Sequence, residues 1–236
     1  CIWLEEYKEF SRKWSPRSYE DFHTAAGLWL LSTVAAGRVV YEFGGLRYTN
    51  LAIILVGKSG QTVKSDAGKN GRDVLQSCGL DYLLLPDTCT PQKMVNLMST
   101  HVPDDYKKWS KERQDKYRDS VAFQGQRSWF YEEFGQLLSG MMRSDGPMTD
   151  FHGFLRVLDN GQARFENGTI SRGVEVIEHP YLALLASMTP KDLVGYASRG
   201  GRLWGEGFVA RLAVACSPQK YKAWARYPVE GSARPI

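Results

Sequence analysis

The sequence predicts an α/β fold in which the strands of a mostly parallel sheet alternate with helices. Three observations predict it. The run Leu51-Ala52-Ile53-Ile54-Leu55-Val56 is aliphatic throughout, without polar alternation, as a strand covered on both faces requires. A second run of that kind, Tyr181 to Ala186, recurs late in the chain. Between them, helical and strand-like stretches alternate instead of segregating, which argues for one α/β domain.

The elements follow in order. Residues 1–36 read as a helical lead-in: Ser15-Pro16 and Ser18 open a stretch whose apolar positions, Phe22, Ala25, Leu28, Leu30, Leu31 and Val34, have helical spacing. Arg38 to Phe43 reads as a strand ended by Gly44-Gly45, and 51–56 as the first buried strand, ended by Gly57. A helix is expected from about Asp66 to Ser77, and a short strand over Leu80 to Leu85, closed by Pro86. Thr90-Pro91 starts another helix, with Pro in its first turn. The segment 103–119 carries charges of alternating sign and reads as a solvated helix or surface insertion.

Ser128 to Tyr131 is strand-like and runs into Glu132-Glu133, with helices expected over Phe134–Arg143 and Phe151–Leu158. Arg164 to Ile177 has β-type residues interrupted at Asn167-Gly168 and Arg172-Gly173, the pattern of a hairpin or two short strands. Tyr181–Ala186 leads through Ser187-Met188-Thr189 into a short helix begun at Pro190, and Phe208–Cys216 passes from helix into strand. The domain reading is a lead-in over 1–36, a core over 37–217 and an exit linker over 218–236, where Pro218, Pro228 and Pro235 lie.

Composition excludes several classes. The 236 residues, 43% hydrophobic and 24% charged, are enough for one full core and lack the bias of a disordered, collagen-like or coiled-coil chain. The net charge of +4 is compatible with nucleic acid without arguing for it. Cys1, Cys78, Cys89 and Cys216 form no C-x-x-C pair, so no zinc site is suggested, and sparse cysteines fit a reducing compartment. His152 and His179 have no acidic or Cys partner at ligand spacing and are read as structural. No apolar run reaches the ~18–20 residues of a membrane helix. The first residue is Cys, which leads us to expect a piece of a longer polypeptide.

Four motifs carry candidate chemistry. Gly57-Lys58-Ser59-Gly60-Gln61-Thr62-Val63-Lys64-Ser65 follows the buried strand. A phosphate-binding loop needs small residues whose N–H groups wrap a phosphate, then a Lys for the β/γ-phosphates and a hydroxyl for Mg²⁺. Order and ending fit, but six residues separate Gly57 from Lys64 where the usual pattern has about five, and Val63 stands where Gly is usual. A plain strand-to-helix turn is the alternative. Glu132 and Glu133, at a strand end, suit an ATPase in which the first acid holds the metal shell and the second deprotonates water, or else simply begin a helix. Thr189, or Ser187, ends the later strand. In ATPases with an extra strand between the phosphate and acid strands, a polar residue there touches the γ-phosphate, whereas Thr before Pro also suits a helix cap. Arg211, in Gly207-Phe208-Val209-Ala210-Arg211, could stabilise charge on a neighbour's γ-phosphate or be a surface charge.

Together with Trp129-Phe130-Tyr131-Glu132-Glu133-Phe134-Gly135 and Leu184 to Pro190, these motifs resemble a P-loop ATPase family of phages, plasmids and other mobile elements. The resemblance runs roughly from Ser15 to Pro218 and includes Thr90-Pro91-Gln92 and Met148-Thr149-Asp150-Phe151. The family's members are similar to AAA+ and superfamily 3 helicases and are often linked to primase-polymerases. The resemblance implies a three-layer P-loop NTPase sandwich and a cytoplasmic protein of a bacterium, archaeon or phage. It implies ATP bound by Gly57, Ser59, Gly60, Thr62, Val63, Lys64 and Ser65, with Mg²⁺ held by Ser65 and Glu132. Glu133 would be the base, Thr189 the sensor, and Arg211 a finger acting across subunits of a homo-oligomer, expected to be a hexameric ring. The hairpin at 164–177 would track single-stranded DNA, with Arg164, Arg172 and Arg156 as contacts. The expected function is a DNA-translocating ATPase. The alternatives are a nucleotide-binding ring scaffold with little turnover, or an ATPase of transposition or anti-phage defence.

Overall fold

The computed structural model describes residues 1–143, 145, 146, 148, 151, 153, 155, 163–169, 173–198 and 207–218. Helices α1 (Ile2–Trp14) and α2 (Glu20–Ala35) open the chain. α1 turns Tyr7 and Ser11 inward, whereas α2 is apolar nearly all round and buries Phe22, Ala26, Trp29 and Leu30 almost completely. A small antiparallel hairpin follows, β1 (Val40–Glu42) with β2 (Leu46–Tyr48), turning through Gly44 and Gly45 at positive φ. β1 falls within the expected strand, whereas its partner β2 has no counterpart in the sequence reading.

The central sheet has four parallel strands: β3 (Ala52–Val56), β4 (Gln126–Tyr131), β7 (Tyr181–Met188) and β8 (Ala213–Cys216). Their spatial order is β4-β7-β3-β8. α3 (Lys64–Ser77), α4 (Pro91–Met98), α5 (Lys111–Val121), α6 (Phe134–Met141) and α7 (Pro190–Ser198) connect or flank them. Thr90 caps α4, its hydroxyl accepting from the Lys93 N–H at 3.3 Å, and α5 buries none of its side chains, as its charge pattern predicts.

Both faces of β3, β4 and β7 are covered, while the edge strand β8 stays largely exposed. Ile53, Leu55, Phe130, Tyr181, Ala183 and Leu185 pack with Tyr7, Phe22, Trp29 and Leu75 on the side of α1, α2 and α3. Ile54, Val56, Trp129, Leu184, Ala186 and Met188 pack with Met94, Met98, Phe134 and Leu138 on the side of α4 and α6. This alternation is why the strand sequences carry no polar face. The lead-in helices are part of this core. The Ser32 hydroxyl lies 3.0 Å from the Tyr181 hydroxyl, and the Thr33 hydroxyl donates to Ser128 Oγ at 2.8 Å, so these two buried hydroxyls of α2 are satisfied on the sheet.

Two strand expectations change. Leu80–Leu85 is not a strand: Asp81–Leu83 makes a 3₁₀ turn, and a single parallel bridge joins the segment to the sheet, Leu84 opposite Ser128 of β4, with the Leu85 N–H donating to the Ser128 carbonyl at 2.8 Å. Gly79 at φ 68° turns the chain just before it, and Pro86, without an N–H, stops the ladder just after. The hairpin is β5 (Arg164–Thr169) with β6 (Gly173–Glu178), and Asn167-Gly168 is no interruption: it pairs inside the ladder with Glu175 and Val174. Phe151, Gly153 and Leu155 are helical, while most of the expected 151–158 helix and residues 219–236 lie outside the described residues.

Candidate functional site

All four sheet strands are parallel, so their C-terminal ends share one edge, the usual place for a ligand in an open α/β sheet. Because β7 lies between β3 and β4, Val56 pairs with Met188 and Tyr131 with Ala186. The 57–65 loop, Glu132-Glu133 and Ser187–Thr189 therefore converge there, from segments far apart in sequence.

The loop is tightly wound. A Cβ on Gly57 would stand 2.3 Å from Thr62 Oγ1, so only glycine fits. The Thr62 side chain is 2% exposed, and its hydroxyl and N–H both donate to the Lys58 carbonyl, at 3.2 and 3.4 Å. Gly60 turns at φ 72°, and Val63 is left-handed at φ 44°, ψ 43°, a conformation that costs a β-branched residue about 1–3 kcal/mol. No side-chain cap bond is made at Val63, so the Lys64 and Ser65 N–H groups are placed as first-turn donors that an anion could use.

Lys64 begins α3 and is 8% exposed. Its ammonium makes no hydrogen bond or ion pair with the described residues. Burial lowers its pKa from the usual lysine value, opposed by the Glu133 and Asp192 carboxylates that face it. The stem of Lys64 is buried while its ammonium, partly desolvated and without a hydrogen-bonded partner among the described residues, is placed where it can meet an anion.

The acids stand in different settings. Glu132 is ion-paired with Lys69 of α3, Nζ to Oε1 3.2 Å, and its backbone carbonyl accepts the Ser187 hydroxyl at 2.6 Å. Ser65 precedes Lys69 by one helical turn and so shares the face of α3 turned toward Glu132. Glu133, exposed, occupies the N-cap position of α6 without a side-chain cap bond. A cleft of about 240 Å³ opens against both acids, walled by Arg72, Phe130 and Gln136. Ser59 and Gly60 lie exposed in the loop.

Thr189 follows β7 directly, as the N-terminal cap of α7. Its hydroxyl donates to Asp192 Oδ2 at 2.7 Å and accepts from the Asp192 N–H at 3.2 Å. Asp192 also packs against Gly135, where an added Cβ would meet it at 2.9 Å. The sequence reading did not single out Asp192, and it weighed Lys69 only in a Gly68-Lys69 pair, which lacks a Gly at the right distance and has Asn70 in place of a hydroxyl. Thr-x-x-Asp before an apolar helix was the legible sign of the first, but the pairing of Lys69 with Glu132 depends on how α3 crosses the sheet.

The arginines are elsewhere. Arg211 ends the 3₁₀ turn Val209–Arg211 just before β8, at the opposite edge of the sheet from Lys64, and donates to the Gly207 carbonyl at 2.6 Å. A strand of this length puts it about 15 Å from its own chain's site, at ~3.3 Å per residue. Arg164, exposed on strand β5 of the hairpin, is ion-paired with Glu166 at 2.9 Å and lies 3.8 Å from Glu178. Arg156 and Arg172 lie outside the described residues.

The fold and site thus define an α/β protein with a tightly wound loop, a lysine at an uncapped helix start and two acids at the C-terminal edge of a parallel sheet. No family model and no curated protein matches the chain. Among the described residues no helix is long and apolar enough to cross a membrane.

Proposed function

We propose that the chain is the ATPase core of a DNA-translocating motor, working as a homo-oligomer in a mobile-element replication system. One observation carries the reading. The buried Lys64, without a hydrogen-bonded partner among the described residues, opens an uncapped helix and faces Glu133 from a strand two places away in the sheet. That combination serves transfer of a phosphoryl group to water better than it serves packing.

In this reading the N–H groups of the 57–65 loop and the Lys64 ammonium bind the β- and γ-phosphates of ATP. Glu133 accepts a proton from the water that attacks the γ-phosphorus as ADP leaves. The donor set fits a hard cation: the Ser65 hydroxyl and the Glu132 carboxylate would hold Mg²⁺, which would neutralise charge on the phosphate oxygens. Thr189 lies at the strand end where a γ-phosphate contact is expected. Arg211, at the far edge of its own sheet, would serve a neighbouring subunit's nucleotide. Single-stranded DNA would run along the β5–β6 hairpin.

The test is ATP hydrolysis with and without single-stranded DNA. DNA-stimulated turnover is expected in the wild type and less than a hundredth of it in Lys64→Ala and Glu133→Gln. Wild-type turnover unaffected by both substitutions sinks the reading.

A second reading, a nucleotide-binding scaffold with little turnover, draws on the Lys69–Glu132 ion pair and the Thr189–Asp192 cap. These engage two of the groups that hydrolysis would use. ATP binding with turnover no greater than that of Glu133→Gln favours it.

A further inference from the structure

The strained residue of the loop is fastened by the N-terminal helices. Val63 holds positive φ, and such a conformation persists only where its surroundings over-determine it. The hydroxyl of Ser18, in the turn between α1 and α2, donates to the Val63 carbonyl at 2.6 Å, and Ser18 is 4% exposed.

Ser18 is itself held in place. Its N–H donates to the Ser15 carbonyl at 3.0 Å, and its backbone hydrogen-bonds the ring of His23, which is 1% exposed. His23 Nδ1 lies 2.7 Å from Ser11 Oγ. Asn70, on the second turn of α3, donates to Ser11 Oγ at 3.2 Å, to the Ser11 carbonyl at 3.3 Å and to Ser15 Oγ at 3.0 Å. A buried circuit therefore leaves α3 at Asn70, crosses α1, α2 and the turn between them, and returns at Val63.

The peptide joining Val63 to Lys64 is planar and trans, so its N–H points opposite its carbonyl. Fixing the carbonyl toward Ser18 aims the Lys64 N–H away from it, as a first-turn donor of the uncapped helix. We infer that Ser18 is a positioning residue for the anion site, setting the direction of the Lys64 N–H through the Val63–Lys64 peptide. The lead-in helices are on this account a working part of the loop. The inference rests on the nucleotide reading of the site.

The experiment measures binding of a fluorescent ATP analogue to the wild type and to Ser18→Ala, Ser18→Thr, Val63→Gly and the Ser18→Ala/Val63→Gly double variant. Hydrogen exchange at the Lys64 amide is followed in parallel. Ser18→Ala is expected to weaken binding about tenfold and to speed that exchange, and Ser18→Thr to restore both within about twofold. Gly adopts positive φ unaided, so adding Ser18→Ala to Val63→Gly is expected to cost less than threefold. Ser18→Ala binding as tightly as wild type, Ser18→Thr failing to restore it, or an equal loss in the Val63→Gly background overturns the inference and leaves the nucleotide reading standing. A wild-type chain that binds no nucleotide overturns both.

Discussion

Lys69 Nζ stands 3.2 Å from Glu132 Oε1, tying the helix that follows the 57–65 loop to the end of the acid strand. Both side chains are about half exposed, so the pair contributes little to stability, on the order of 0–1 kcal/mol. Its consequence is for the site. A cation seated at Glu132 must compete with the Lys69 ammonium, so Lys69→Met is expected to lower the Mg²⁺ concentration for half-maximal ATP turnover about two- to fivefold. The thermal midpoint should move by less than about 2 °C. A Mg²⁺ dependence identical to wild type would show that Glu132 does not serve the metal.

Lys64 sets function against stability. Its stem is buried and its ammonium is partly desolvated without a hydrogen-bonded partner among the described residues, so Lys64→Met relieves a desolvation cost of about 1 kcal/mol while keeping the stem's packing. In a chain of this size that is a rise in thermal midpoint of about 2–4 °C. Nucleotide binding should be lost in the same variant. Calorimetry showing a lowered midpoint would mean that Lys64 is a structural residue.

The buried circuit makes stability pH-dependent. Burial pushes the His23 pKa from 6.5 down to about 4, with Glu20 opposing and Arg12 and Lys8 reinforcing the shift. The unfolded chain then binds a proton at His23 that the folded chain does not, between about pH 6.5 and 4. The contribution is fully present above pH 6.5 and falls away toward pH 4, by on the order of 3 kcal/mol. Urea midpoints across that range should fall less in His23→Gln than in wild type. Parallel slopes would contradict a neutral, buried His23.

Arg164 is expected to contact DNA, yet on the hairpin it is neutralised by Glu166 and Glu178. The Glu166→Gln/Glu178→Gln double variant should therefore bind single-stranded DNA several-fold tighter, with a steeper dependence on salt, since more cations face the phosphates. Fluorescence anisotropy at two salt concentrations reads this. Unchanged affinity and slope would remove the hairpin from the DNA path.

Much of the fold is legible in the sequence because burial on both faces writes itself into a strand as an unbroken apolar run. Leu51–Val56 and Tyr181–Ala186 carry that signature, and both are strands. Thr90-Pro91 and the alternating charges of 103–119 are equally local signals and read correctly. Leu80–Leu85 misleads because an apolar run records burial alone. Gly79 and Pro86 leave it one bridge instead of a ladder.

For the candidate site, local pattern is enough to put Gly57 to Ser65, Glu132-Glu133 and Ser187 to Thr189 at strand ends. What each side chain meets is settled by the folded arrangement. Ser18 sits where a helix begins and would be read as its cap, yet its hydroxyl reaches 45 positions along the chain to the Val63 carbonyl. Thr189 turns its hydroxyl to Asp192, Glu132 pairs with Lys69, and Arg211 falls at the far edge of the sheet. Strand identity is set by neighbours in sequence, through period and propensity. The partner of a hydroxyl or a carboxylate is set by strand order and helix crossing, which bring distant residues to within about 3 Å and leave no local trace in the chain.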